Sequence, residues 1–254
     1  LGISADQIID GAIVVVPLSI IGTRLWYVAF EWNNYFVKGD IVETFLKIVD
    51  ISNGGLAIHG GFFTALISVI VYTKIKGINV FRVFDLMAPG FLIAQAFGRW
   101  GNFFNQEAHG GVVGGMTDGV ANLSLEAQYN FLKYTLHLPT FIANNMYIVR
   151  GLHSISVEPI TAFYHPTFFY ESMFNVLGFI IMLLLRRWKK VHFGELLSFY
   201  LVWYGGLRIF IETMRTDPLT FDIFGITMKS AIVTSVLMIT AGVALSTYIR
   251  IKRK

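Results

Sequence analysis

The sequence Phe84-Asp85-Leu86-Met87-Ala88-Pro89-Gly90-Phe91-Leu92-Ile93-Ala94-Gln95-Ala96-Phe97 runs directly into Gly98-Arg99-Trp100-Gly101-Asn102-Phe103-Phe104-Asn105-Gln106-Glu107. A long apolar segment is closed by an arginine, side-chain amides and a carboxylate. An arginine at membrane depth costs about 2.5–3.5 kcal/mol on insertion scales, so it faces a polar cavity, a partner or a ligand, unless it snorkels to the nearer headgroup layer. Taken alone, Arg99 leaves those readings open. Its company elsewhere in the chain narrows them.

Of 254 residues, 55% are hydrophobic and only 14% charged, and the mean hydropathy is +0.61. That is too apolar for a soluble domain of this length. The pattern predicts an all-α polytopic membrane helix bundle, a single integral membrane domain over residues 1–254. Stretches able to cross about 30 Å of hydrocarbon run over residues 8–30, 56–72, 83–103, 167–185, 196–211 and 227–249. Glycines and polar residues interrupt several of them, which is tolerated only where backbone is buried or lines a wet cavity.

The net charge is +4 and the isoelectric point about 9.2. The basic residues gather at span ends, without the aromatic-plus-basic repeat of a nucleic-acid module, so no nucleic-acid partner is expected. The positive charge reads as topology. Lys74, Lys76 and Arg82 fill one short connection, Arg186, Arg187, Lys189 and Lys190 another, and Arg250, Lys252, Arg253 and Lys254 end the chain. The positive-inside rule places all three in the cytoplasm. Leu1 then starts inside too. It is neither a methionine nor preceded by a targeting segment, so a further N-terminal helix is expected to be missing. Without cysteine, any thiol in the chemistry comes from a substrate.

Residues 108–164 break the hydropathy pattern with five glycines between Gly110 and Gly119, an amphipathic piece around Leu125–Tyr134, then Pro139 and Pro159. That composition predicts an extracytoplasmic cap inserted in the membrane domain. A second outward segment, residues 31–53, carries Trp32, Tyr35 and Phe36 beside an amphipathic run at 41–49 suited to the interface. On this topology His59, Arg99–Glu107, His165–Glu171 and Tyr204–Arg215 all lie at the outward ends of spans.

Tyr204, Arg208, Glu212 and Arg215 follow spacings of four, four and three, one face of a helix. An internal ladder from Arg208 to Glu212 to Arg215 would need no ligand. One carboxylate cannot neutralise two arginines, however, and the leftover charge with Arg99 suits a phosphate, which guanidinium grips with paired hydrogen bonds. His59, before Gly60-Gly61, is either a helix cap or a general base toward an acidic proton such as a thiol's. In Tyr164-His165-Pro166-Thr167-Phe168-Phe169-Tyr170-Glu171, proline opens a helix and Glu171 lies near its positive end. Function and scaffolding stay open for His165, Tyr170 and Glu171. Asp85 is expected to cap or pair beside Arg82. His109, His137, His153 and His192 lack metal-ligand spacing.

These motifs resemble the prolipoprotein diacylglyceryl transferase family. Gly98, Arg99, Gly101, Asn102, Phe103, Asn105 and Glu107 meet its signature G-R-x-G-N-F-x-N-x-E in full. His59-Gly60-Gly61 matches H-G-G, and His165-Pro166-Thr167 with Tyr170-Glu171 matches H-P-[ST]-x-x-Y-E. Tyr204-Gly205 with Arg208, Glu212 and Arg215 matches Y-G-x-x-R-x-x-x-E-x-x-R, and Arg24 with Tyr27 is similar to an early R-L-x-Y. Phe168-Phe169 and Thr216-Asp217-Pro218 depart from the family pattern, and the tyrosine of the family's extra N-terminal helix has no counterpart here.

The resemblance implies transfer of a diacylglyceryl group from phosphatidylglycerol to the lipobox cysteine of a prolipoprotein, releasing glycerol 1-phosphate. The enzyme would lie in the bacterial cytoplasmic membrane with its site outward and its C-terminus cytoplasmic. Its partners would be phosphatidylglycerol, the lipobox signal peptide and membrane lipid. Arg99 and Arg208 are the candidate phosphate holders and His59 the candidate base. Asn102, Glu107, Tyr204, Glu212, Arg215, His165, Tyr170 and Glu171 are candidate substrate-binding or positioning residues, and no metal or organic cofactor is expected. A thiol of reference pKa about 8.5 near arginines supplies thiolate without any histidine, so the base stays open. A transporter would set ionisable residues on both sides of the midplane, and a lipid-binding scaffold would have no use for His59.

Overall fold

The computed structural model describes residues 2–52, 54–149, 160–215, 220–223 and 226–252. They fall into two compact units, Leu1–Val83 and Phe84–Lys254.

In the first unit, α1 (Ala5–Phe30) opens on a capping box. The Ser4 hydroxyl accepts from the Gln7 N–H at 3.2 Å while the Gln7 side chain accepts from the Ser4 N–H at 3.0 Å, so two orphan donors are satisfied reciprocally. After a short turn, α2 (Trp32–Tyr35), comes α3 (Ile41–Val49), capped by Asp40. Ile41, Val42, Phe45 and Leu46 of α3 are exposed, as expected of a helix lying in an interface. Next, α4 (Ile58–Ile75) packs on α1 through small residues. A Cβ on Gly60 would collide with the Gly22 carbonyl, and one on Gly61 with Thr23. The two glycines after His59 therefore serve helix contact.

Arg24 fastens the connection between α1 and α4. Only 7% exposed, it donates to the carbonyls of Lys47 (2.8 Å), Ile48 (2.7 Å) and Asp50 (2.5 Å), to those of Gly54 and Gly55, and to the Tyr35 hydroxyl. These include carbonyls at the α3 C-terminus, which lack intrahelical partners.

The second unit begins within α5 (Val80–Asn105), and α5 leads into the inserted region. There, β1 (Met116–Thr117) pairs with β2 (Val120–Ala121), followed by α6 (Leu125–Asn130), a π-helical turn Phe131–Thr135, and α7 (Thr140–Asn145). Then β3 (Tyr147–Ile148) pairs with β4 (Ala162–Phe163). Residues 150–159, with Pro159 and His153, lie outside the described residues. Val113, Leu132, Ile142, Met146, Ile148 and Tyr164 build a core of the insertion's own, and Phe103 of α5 and Phe168 join it. Gln128, fully buried, donates to the Leu123 carbonyl and accepts from the Phe163 N–H, both at 2.8 Å.

The bundle continues with α8 (Thr167–Leu185) and α9 (Glu195–Met214). The hairpin β5 (Thr220–Ile223) and β6 (Ile226–Lys229) leads into α10 (Ser230–Ile251). Close approach of α9 and α10 rests on Gly205, where a Cβ would stand 2.9 Å from the Ser235 carbonyl, and on Gly242, 2.9 Å from that of Ser198. Residues 216–219, which hold the Thr216-Asp217-Pro218 departure from the family pattern, lie outside the described residues, as do Arg253 and Lys254.

The expectation of an all-α polytopic membrane protein holds. Among the described residues α1, α4, α5, α8 and α10 are long and apolar enough to cross a membrane. The sixth expected span, residues 196–211, is the 20-residue α9. It is about 30 Å long, yet its polar stripe takes its composition out of the apolar class.

Asp85 caps a helix, although not its own. Its carboxylate, 2% exposed, accepts from the Gly194 N–H at 2.6 Å and the Leu197 N–H at 2.9 Å, across more than a hundred residues. The left-handed Gly194, φ 96°, brings those amides to it. At the same end Glu195 pairs with Arg250 at 2.7 Å, tying α9 to the end of α10. Asp85→Ala strands two buried amide donors at a helix start, so it should cost about 2 kcal/mol or more of stability, with Asp85→Asn milder. Thermal unfolding in detergent checks this, and equal midpoints for wild type and Asp85→Ala would remove the cap from the account.

Candidate active site

At the other end of the second unit's helices, α5, α8 and α9 each contribute ionic groups. Arg99, in the last two turns of α5, places Nη2 2.8 Å from Glu171 Oε1. Arg208 on α9 places Nη1 3.6 Å from Glu171 Oε2 and Nη2 2.9 Å from Glu212 Oε2. The carboxylates are enclosed, with Glu171 2% and Glu212 1% exposed, whereas the Arg99 and Arg208 side chains keep 22% and 14%. A removed partner would leave a buried charge at a cost of about 3–5 kcal/mol, so the four groups fix one another.

The sequence sets Glu212 against Arg208 and Arg215, with Arg99 adding to the positive charge, and the structure brings a second carboxylate, Glu171 from α8, to Arg99 and Arg208. Two guanidinium groups converging on one carboxylate bring together planar N–H donors that match phosphate oxygens in paired geometry.

Around the cluster, Arg99 Nη1 donates to Asn102 Oδ1 at 3.2 Å, and Asn102 Nδ2 and Asn105 Nδ2 donate to Glu107 Oε1 at 3.2 and 3.1 Å. Glu107 thus acts on Arg99 through Asn102. The turn is made by Gln106 and Ala108, both with positive φ. A Cβ added to Gly98 or Gly101 meets nothing within 4 Å, unlike the packing glycines. Trp100 Nε1 donates to Ser172 Oγ at 3.3 Å, and Ser172 in turn to the Ala96 carbonyl at 3.0 Å, locking α5 to α8.

Tyr204 stacks on Tyr200, ring centroids 5.9 Å apart, below Arg208 on α9. Arg215 follows the last turn of α9, where its backbone bridges to Gly110 at the start of the insertion. His165 shares a 3.2 Å hydrogen bond with the Tyr170 hydroxyl through Nδ1, and its strand-like backbone pairs with Gly110 and Gly111. Burial holds its imidazole below the ordinary 6.5, so it is neutral at neutral pH. His59 belongs to the first unit, exposed in the first turn of α4. His109 is buried against the Tyr164 ring at 4.5 Å. No grouping of His, Asp and Glu suited to a metal ion occurs among the described residues. The sequence reading does not single out Gln95, Ser172, Asn175 and Tyr200; Gln95 and Asn175, amides within apolar spans, carry a signal that could have found them.

The fold and site define a multi-pass helical membrane protein with a buried arginine–carboxylate cluster at one end of its bundle. The family model for prolipoprotein diacylglyceryl transferase matches residues 2–248, and the chain belongs to that family. It is 42% identical over 247 residues to the phosphatidylglycerol–prolipoprotein diacylglyceryl transferase of Listeria monocytogenes serotype 4b, covering 97% of this chain and 76% of that one. Proteins of the same name from Bacillus cytotoxicus (42% over 219 residues, 86% and 69% covered) and Bacillus licheniformis (38% over 251 residues, 99% and 80% covered) are also similar.

The depressed His165 pKa has a testable sign. Below 6.5 the unfolded chain takes the proton and the folded one does not, so this residue's contribution to stability is present above 6.5 and lost as pH falls through the lower folded value. The difference in melting temperature between wild type and His165→Gln should shrink from pH 7.5 to pH 5. A difference constant with pH would mean that His165 titrates alike in both states.

Proposed function

We propose that this protein transfers the diacylglyceryl group of phosphatidylglycerol to the lipobox cysteine of a prolipoprotein, with Arg99 and Arg208 gripping the lipid phosphate. The observation that carries this reading is the pair of guanidinium groups that converge from two helices on one buried carboxylate. The cysteine sulfur attacks the glycerol carbon bearing the phosphate ester. A carbon–sulfur bond forms, the carbon–oxygen bond breaks with its electrons going to phosphate oxygen, and glycerol 1-phosphate leaves. The phosphodiester carries one negative charge and the departing monoester gains another, so donors fixed in advance at that oxygen stabilise the transition state more than the ground state.

Asn102 with Glu107 on one side, and Glu212 on the other, hold the arginines in register. Tyr204, His165, Tyr170 and Arg215 are proposed to border the headgroup and peptide. His59 is the proposed acceptor of the thiol proton. The site faces outward from the cytoplasmic membrane, with residues 108–164 as an extracytoplasmic insertion and the C-terminus inside, a topology supported by the three basic clusters.

Purified protein should release glycerol 1-phosphate from phosphatidylglycerol only when a lipobox peptide is present, and no release with both substrates would overturn the reading. Arg99→Lys and Arg208→Lys keep the charge and lose the planar fork, so each should lower kcat/KM by about 10²-fold or more. Full activity in the folded double variant would return both arginines to a structural role. His59→Gln should lower kcat with little change in KM, and raising the pH should recover part of the loss as substrate thiolate accumulates. Wild-type turnover in that variant would remove His59 from the mechanism.

A further inference from the structure

A phosphate seated between Arg99 and Arg208 needs the N–H donors that now face Glu171. Arg99 donates Nη1 to Asn102 and ion-pairs through Nη2 with Glu171, while Arg208 ion-pairs through Nη2 with Glu212 and turns Nη1 toward Glu171, these ion pairs lacking aligned hydrogen bonds. Glu171 therefore stands where the shared phosphate oxygens would go, and two anions do not occupy one gap. Its carboxylate has to give way. Because Glu171 is 2% exposed, solvent is not there to receive it, and a buried carboxylate without donors is unfavourable.

Asn175 supplies what is missing. It lies four residues beyond Glu171 on α8, the spacing at which side chains on one helical face are neighbours. It is fully enclosed, at 0% exposure, and neither Nδ2 nor Oδ1 has a hydrogen-bond partner. An amide sealed in a bundle with all of its bonds unmade costs stability, whereas an apolar residue of the same shape would not. Gln95 on α5, another amide within a span, donates Nε2 to the Tyr200 hydroxyl at 3.0 Å and leaves its Oε1 unpartnered. Asn175 Nδ2 remains as an unspent donor within a helical turn of the displaced carboxylate.

We propose that Asn175 is a positioning residue: its amide receives the Glu171 carboxylate when a lipid phosphate takes the Arg99 and Arg208 donors. The inference rests on the phosphate grip proposed above. As described, Glu171 holds the arginines and Asn175 is unsatisfied; with phosphate bound, phosphate holds the arginines and Asn175 holds Glu171. Binding of the lipid is thereby coupled to satisfaction of a buried amide, and the arginines never lack an anionic partner.

The test uses two variants whose stability and function move in opposite directions. Asn175→Leu removes the donor at nearly constant volume, so its melting temperature should equal or exceed wild type while KM for phosphatidylglycerol in mixed micelles rises at least fivefold, with kcat within twofold. Asn175→Ser keeps a donor and leaves a void, so it should melt lower yet hold KM within about twofold of wild type. Arg99→Lys is run beside them. If KM for Asn175→Leu stays within twofold of wild type, or if activity simply follows melting temperature across the two variants, the inference falls. That result with an impaired Arg99→Lys would sink the Asn175 role alone, and an unimpaired Arg99→Lys would remove the phosphate grip and this role together.

Discussion

The carboxylate of Glu171 joins three helices at one point. Arg99 arrives from α5, Arg208 from α9, and Glu171 itself stands near the start of α8, so none of the three charges is balanced within its own helix by this contact. Desolvating such groups is costly, and packed leucines would hold three helices together at least as well. The ionic junction is therefore better understood as geometry than as adhesive: it sets the distance and tilt of two planar donor arrays. Everything around it follows that demand. Ser172 on the next position bonds back to α5, Asn102 steers the second edge of Arg99, and Glu212 fixes the far side of Arg208.

The helical membrane class was legible because hydropathy integrates over about twenty residues and needs no knowledge of neighbours. The amphipathic run at 41–49 appears as α3 for the same reason. Partnerships between elements were not legible in that way. Asp85 reads locally as a carboxylate beside Arg82, and only the folded bundle shows that its oxygens meet the amide ends of α9. Glu171 reads as a helix-start acid, and its pairing with Arg99 and Arg208 depends on which helices lie side by side. Charge counting within α9 alone therefore misses the carboxylate that α8 brings.

Glycine illustrates both sides. Gly60 and Gly61 follow a histidine and invite a ligand-binding reading, yet they are filled by α1 at van der Waals contact or closer. Gly98 and Gly101 flank the arginine signature and have open space where a Cβ would stand. The sequence writes all four with the same letter. What separates them is the element opposite, a quantity of tertiary structure with no trace in local spacing. Arg24 belongs to the same class: its role as a hub for backbone carbonyls emerges only once α3 ends beside it.

The composition of α9 bears on how the chain enters the bilayer. A helix with Arg208 and Glu212 on one face gains little from hydrocarbon on its own, because each exposed ion costs several kcal/mol at depth. Its cost falls when Glu171 meets Arg208, when Asp85 meets its leading amides, and when Gly205 and Gly242 let α10 close against it. Those partners flank it in the chain order, α5 and α8 before and α10 after. The contacts that build the site thus also lower the cost of holding α9 in a bilayer.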